Sequence, residues 1–196
     1  AAVKLNQNES PFDWPPAIKE KILNKLEKAS WNRYPQEENQ ELLIRLADYA
    51  GHSPEGILLG NGSNELIQTI IGSFVSQGDR ILTIRPGFSI YKRVATTLDI
   101  ETIEIDLSPD FSFDPQEIAE RAPSASLIFL ASPNNPTGSV MSIEDIDYLL
   151  QKVDSPVILD EAYFEFSGIT SQPLLKNYEN LIILRTFSKA FGLAGA

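Results

Sequence analysis

The stretch Ser126-Leu127-Ile128-Phe129-Leu130-Ala131-Ser132-Pro133-Asn134-Asn135-Pro136-Thr137-Gly138 decides the fold. Its first half is the most apolar run in the chain, and it stops at a loop punctuated by two prolines and a glycine. A strand that is apolar on both faces has to be covered on both, as in parallel sheets sandwiched between helices. Arg80–Ile84, Glu101–Ile105, Pro156–Asp160 and Leu181–Arg185 read as further strands, and Ile57-Leu58-Leu59 as a short one. Between them Glu65–Ser76, Ile90–Thr97, Pro115–Arg121 and Ser142–Val153 read as helices, the last capped by Ser142. The helix over 65–76 is expected to bury Leu66, Ile67, Ile70, Ile71 and Phe74. This alternation predicts an α/β protein, a three-layer sandwich around a mainly parallel sheet.

Two more helices precede the alternation. Asp13-Trp14-Pro15-Pro16 is a helix start, and Ile18, Ile22 and Leu26 then form one apolar stripe on a helix running to about Ala29. Glu38–Ala50 reads as helical, with Leu42, Leu43, Leu46 and Ala47 inward and Gly51 as its stop. The chain opens Ala1-Ala2-Val3 without an initiator methionine and closes on Ala196, so a longer native protein is expected.

Composition narrows the chemistry. The 196 residues are 42% hydrophobic and carry 27 acidic against 16 basic side chains, a net charge of −11. That balance argues against nucleic acid or an anionic membrane as the main partner. With no cysteine there are no thiolate nucleophiles or thiolate metal sites, and one histidine, His52, supplies neither a triad nor a multi-histidine site. No apolar run approaches the ~20 residues needed to span a bilayer. The expectation is a soluble, cytoplasmic protein.

The residues that carry chemistry cluster where strands end. Gly60-Asn61-Gly62-Ser63-Asn64-Glu65 joins a strand to a helix, and the free N–H groups of a first helical turn suit a phosphate, with Ser63 adding a hydroxyl. Glu65 occupies the third glycine position of a dinucleotide fingerprint, which disfavours a nucleotide-binding oxidoreductase. Asn135, held between two prolines, can donate to a phenolate-like oxygen; the blander alternative is an Asn that caps its own turn. Asp160 ends a buried strand, where a carboxylate is costly unless it meets a cation such as a protonated pyridine. An Asp that merely caps the next turn is the alternative there. Tyr163 follows three residues later and could reach the same ring. Lys189, in Thr186-Phe187-Ser188-Lys189-Ala190-Phe191-Gly192, lies just past the last strand, and a lysine amine there can form a Schiff base with a carbonyl. Asn135 and Asp160 are 25 residues apart, and Asp160 and Lys189 are 29. Right-handed crossovers over such distances bring all these loops to one sheet edge. Together they read as a site for pyridoxal 5'-phosphate (PLP).

On these motifs, with Leu5-Asn6-Gln7-Asn8-Glu9-Ser10-Pro11 and Asn32-Arg33-Tyr34-Pro35, the chain resembles the fold-type I PLP-dependent aminotransferases, most closely their histidinol-phosphate branch. The resemblance covers residues 5 to 196 and implies two units: residues 1–30 as an arm and helix contacting the small domain or a second subunit, and 31–196 as the PLP-binding large domain. It implies that Lys189 carries the cofactor and shuttles a proton, that Asp160 holds the pyridinium, and that Asn135 and Tyr163 bond its ring hydroxyl. Gly62, Ser63, Asn64, Thr186 and Ser188 would surround the phosphate, and Tyr34 would reach across a homodimer interface to it. The family's ring-stacking Pro-Thr-Tyr reads Pro86-Gly87-Phe88 here, so stacking passes to Phe88. The implied reaction is amino transfer from histidinol phosphate to 2-oxoglutarate. An aromatic or other amino donor, a phosphothreonine decarboxylase and a non-catalytic PLP-binding module stay open. The family's second phosphate arginine and its substrate-carboxylate arginine are not in this sequence, and a protein ending at Ala196 is expected to transaminate poorly.

Overall fold

The strands are short, β-branched and apolar, and they end where proline, aspartate or threonine interrupts them. In the computed structural model, which describes residues 3–34 and 39–195, they are β1 (Arg80–Arg85), β2 (Glu101–Asp106), β3 (Leu127–Ala131), β4 (Val157–Asp160) and β5 (Leu181–Leu184). All neighbours pair in parallel, in the order β2-β1-β3-β4-β5. Every residue of β3 is buried, as its unbroken apolar run requires. Alternate side chains serve opposite layers. Leu127 and Phe129 pack with Ile67, Ile70 and Ile71 of α3 (Gly62–Phe74) and Tyr91 and Ala95 of α4 (Ile90–Thr97). Ile128 and Leu130 pack on the other face with Ile118 of α5 (Pro115–Arg121) and Ile146, Leu149 and Leu150 of α6 (Ile143–Lys152). The three-layer α/β sandwich expected from the sequence is the fold.

Two details of this sheet position the site. In register, Ala131 stands beside Asp160 and Asp160 beside Leu184, so β3, β4 and β5 release their loops in step. The chain leaves β1 for β2 on one side, then returns past β1 to β3 and continues to β4 and β5. Its helices change face with that reversal, α4 lying on one layer and α5 and α6 on the other. The reversal opens a crevice beyond the carboxyl ends of β1 and β3, the usual ligand position in open α/β sheets.

The helices follow their end signals. Ser142 Oγ accepts from Asp145 N at 3.0 Å to start α6. Asn39 does the same for Leu42 N at the head of α2 (Gln40–Ala50), and Gly51 closes that helix in the left-handed region at φ 66°. Glu38, the expected first residue of α2, lies outside the described residues. Helix α1 (Pro16–Glu27) has no buried residue, and its stripe of Ile18, Ile22 and Leu26 faces outward. Trp14 Nε1 donates to Phe191 O at 2.6 Å, tying the arm to the segment after β5.

Three expectations fail for one reason, the lack of a partner. Ile57-Leu58-Leu59 forms no strand, since among the described residues no strand pairs with it, and β propensity has no effect without a ladder. Leu59, Leu66 and Phe74 line an apolar groove of about 460 Å³ together with Leu181 and Ile183 of β5, which leaves Phe74 exposed. Leu42 also points to solvent, and only Leu43 and Ala47 of α2 are buried. Among the described residues no helix is long and apolar enough to cross a membrane.

Leu130 has no exposed surface. Leu130→Ala should therefore cost about 2–5 kcal/mol of stability, read as a shift in urea midpoint with little change in slope.

Candidate active site

Each strand end contributes through a local device. After β1 the backbone turns so tightly at Gly87 that a Cβ there would lie 2.3 Å from Ile84 O. Only glycine permits that approach, and it brings Phe88 to the cavity wall. After β3 the two asparagines divide the work. Asn134 is buried and structural: its Nδ2 donates to Pro86 O at 3.0 Å and Thr137 Oγ1 at 2.8 Å, stitching the β1 and β3 loops together. Asn135 is left to face the cavity, with Nδ2 3.5 Å from Tyr163 Oη. At the fourth side, Gly62 opens α3 at φ 78° and presents Ser63 and Asn64 with the helix's first N–H groups.

Asp160 sits on the floor, 3% exposed. Its Oδ1 accepts from Ala162 N at 3.0 Å and its Oδ2 from Tyr91 Oη at 2.7 Å. Burial pushes this carboxyl above its ordinary value; the bonds from Tyr91 and Ala162 oppose that, Glu161 adds to it, and Lys189 pulls it back down. Burial and the adjacent Asp160 push the Tyr91 hydroxyl well above 10, so it stays a donor.

Lys189 closes the opposite side. Its Nζ donates to Gln7 O at 2.8 Å and lies 5.8 Å from the centre of the Tyr163 ring. Asn8 Nδ2 reaches Tyr163 Oη at 2.9 Å, so the arm is bonded to two residues that line the cavity. Thr186 Oγ1 and Ser188 Oγ bond each other at 3.1 Å beside it. Gly62, Ser63, Asn64, Phe88, Asn135, Asp160, Tyr163, Thr186, Ser188 and Lys189 all line one cavity of about 230 Å³. Tyr34 does not; it is fully exposed and away from the cavity of its own chain.

Sequence reading passed over three residues. Tyr91 lines the cavity, yet at sequence level it is an apolar-face residue of α4; an inward hydroxyl needing a partner was the available signal. Buried Glu161 pairs with partly exposed Arg185 at 2.9 Å, with Glu161 also accepting from Thr170 Oγ1 at 2.8 Å and Ser171 N at 2.7 Å. Arg185 also stacks 3.8 Å over Phe164. This pair clamps the ends of β4 and β5 from behind the cavity.

The donor set fits PLP. A buried carboxylate that lacks an adjacent cation suits a pyridinium nitrogen, two side chains converge on one point suited to a ring oxygen, an aromatic wall suits stacking, and a helix N-terminus with hydroxyls suits phosphate. A primary amine, that of Lys189, lines the same cavity. Among the described residues no group of three or more His, Cys, Asp or Glu is placed to hold a metal.

A parallel sheet open at this switch point, with a lysine and a buried aspartate lining one cavity there, is an α/β ligand-binding fold. The chain belongs to the family described as aminotransferase class I and II, whose sequence profile matches residues 1–196. It is 47% identical over 193 residues to the histidinol-phosphate aminotransferase of Pyrococcus furiosus, covering 97% of this chain and 56% of that protein. It is 41% identical to that of Thermococcus gammatolerans, covering 98% and 56%. The chain thus spans just over half the length of these relatives. Among solved structures, the histidinol-phosphate aminotransferase from Sinorhizobium meliloti in complex with pyridoxal-5'-phosphate superposes with a TM-score of 0.81 at 29% identity, covering 97% of this chain and 53% of that one.

Two outcomes follow from the buried acids. The Asp160 carboxyl titrates above 3.8 when folded, so the folded state holds the extra proton between the two values and stability falls as pH rises through that window. In cofactor-free protein this fall should vanish in Asp160→Asn, which thermal melts from about pH 4 upward would show. Arg185→Leu should cost about 3–5 kcal/mol, because it strands Glu161 uncompensated; chemical denaturation checks this.

Proposed function

We propose that this chain is the cofactor-binding part of a PLP-dependent aminotransferase that moves an amino group from histidinol phosphate to 2-oxoglutarate, as a cytoplasmic homodimer. The observation that carries the reading is the meeting of Lys189, Asp160, Asn135 and the α3 N-terminus in one cavity. The relatives' names supply the donor. The outward apolar stripe of α1 and the exposed Tyr34 support a second protomer packing on this side, where Tyr34 would reach that copy's phosphate site.

PLP, when bound, supplies an electron sink for bonds broken at the donor's Cα. The chain's own residues do the rest. Asp160 would keep the ring nitrogen protonated, Asn135 and Tyr163 would bond the ring oxygen, and Phe88 would stack on the ring. Ser63, Asn64, Thr186, Ser188 and the first N–H groups of α3 anchor the phosphate. Lys189 would hold the cofactor, and its free amine would take the proton from the donor's Cα. The arm, through Gln7 and Asn8, would hold Lys189 and Tyr163 in place.

The test uses the whole protein loaded with PLP, offered histidinol phosphate, phenylalanine or aspartate singly while absorbance reports conversion of the cofactor to its amine form. Fast conversion by histidinol phosphate alone supports the reading. Conversion by the others instead keeps the aminotransferase and rejects the donor, and release of CO₂ rejects amino transfer. Lys189→Ala should lose PLP that borohydride fixes to the chain, and turnover should fall by at least about 10²–10⁴-fold.

A further inference from the structure

Tyr91 lines the cavity and has no part in the proposed function, and its surroundings are unusually constrained. Its side chain is 1% exposed. One ring face stacks on Phe129, centroids 4.8 Å apart and planes 17° from parallel. Phe88 meets it edge-to-face at 5.4 Å. Held this way, the ring can present its hydroxyl in one direction only, and that direction ends on Asp160 Oδ2 at 2.7 Å.

A tyrosine buried for packing alone would serve as well without its hydroxyl, since an unmatched buried O–H is a cost. Here the hydroxyl has one partner, and the partner is the buried acid. With Ala162 N on Oδ1 and Tyr91 Oη on Oδ2, the carboxylate plane is fixed by a donor on each oxygen. Each oxygen keeps a lone pair for a further donor. We propose that Tyr91 is the positioning residue of Asp160: its hydroxyl holds the carboxylate ionised and aimed into the cavity, and so sets how tightly a protonated ring nitrogen is bound there. The contact of Tyr91 with Phe88 makes one rigid unit of the aromatic wall and the anionic floor. This rests on the PLP reading of the cavity and adds to it a residue acting through another.

Tyr91→Phe keeps both ring contacts and deletes only the hydroxyl. In the whole protein it should weaken PLP binding about 10- to 100-fold, the worth of one hydrogen bond to a charged group. The turnover number should fall while the KM for the amino donor holds. Two further measurements separate positioning from packing. The affinity penalty should disappear in an Asp160→Asn background, where the charge to be held is gone. It should likewise disappear with the 1-deaza analogue of PLP, which carries carbon in place of the ring nitrogen. Both comparisons stay readable if Tyr91→Phe lowers stability, because each is made with that variant present. A penalty that persists unchanged in either comparison, or PLP affinity of Tyr91→Phe within about twofold of the unaltered protein, overturns the inference and leaves the cofactor reading standing. Failure of the unaltered protein to bind PLP overturns both.

Discussion

A carboxylate without water at the end of β4 is the constraint around which the cavity is arranged. Ionised, Asp160 is costly there, and two hydrogen bonds offset only part of the cost, since burial still pushes its carboxyl up. One of those bonds comes from the next turn of its own loop and the other from a helix 69 residues away in sequence. The second bond requires α4 to lie over β3 with Tyr91 stacked on Phe129, which in turn requires the parallel order that puts β3 between β1 and β4. Moving any of these layers would strand the charge.

The strands and the loops at their ends were legible in the sequence because each has a local cause. β3 is apolar throughout, Ser142 and Gly51 mark helix ends, and Gly87 sits where the backbone has no room for a Cβ. That the candidate residues meet in one cavity was legible because a parallel sheet delivers every carboxyl end to the same edge, so that motif spacing becomes spatial proximity. What the sequence could not show depends on partners distant along the chain. Ile57–Leu59 has strand composition and no ladder. Tyr91 looks like any inward residue of an amphipathic helix until Asp160 is seen above its hydroxyl. Arg185 reads as the end of a strand and proves to be the counter-ion of Glu161. Nor does the sequence say which of Asn134 and Asn135 holds the loop and which faces the cavity; the answer lies in Pro86 O, on a different strand's loop.

The neighbouring acids Asp160 and Glu161 make the functional argument sharper, because they share a chain position and a degree of burial but not a solution to it. They are 3% and 1% exposed. Glu161 receives a guanidinium, a hydroxyl and a backbone N–H, so its charge is matched inside the fold. Asp160 receives only neutral donors, and among the described residues no cation forms an ion pair with it. Fold stability alone would favour the arrangement at Glu161 for both. A buried acid given oriented neutral donors and an open side is instead set up for a cation that arrives from outside. Lys189 cannot take that role at contact distance, since its Nζ is committed to the arm at Gln7 O across the cavity. Among the described residues no side chain supplies that charge at contact distance, and under the proposed function the cofactor would bring it into the cavity that Asp160 and Lys189 both line.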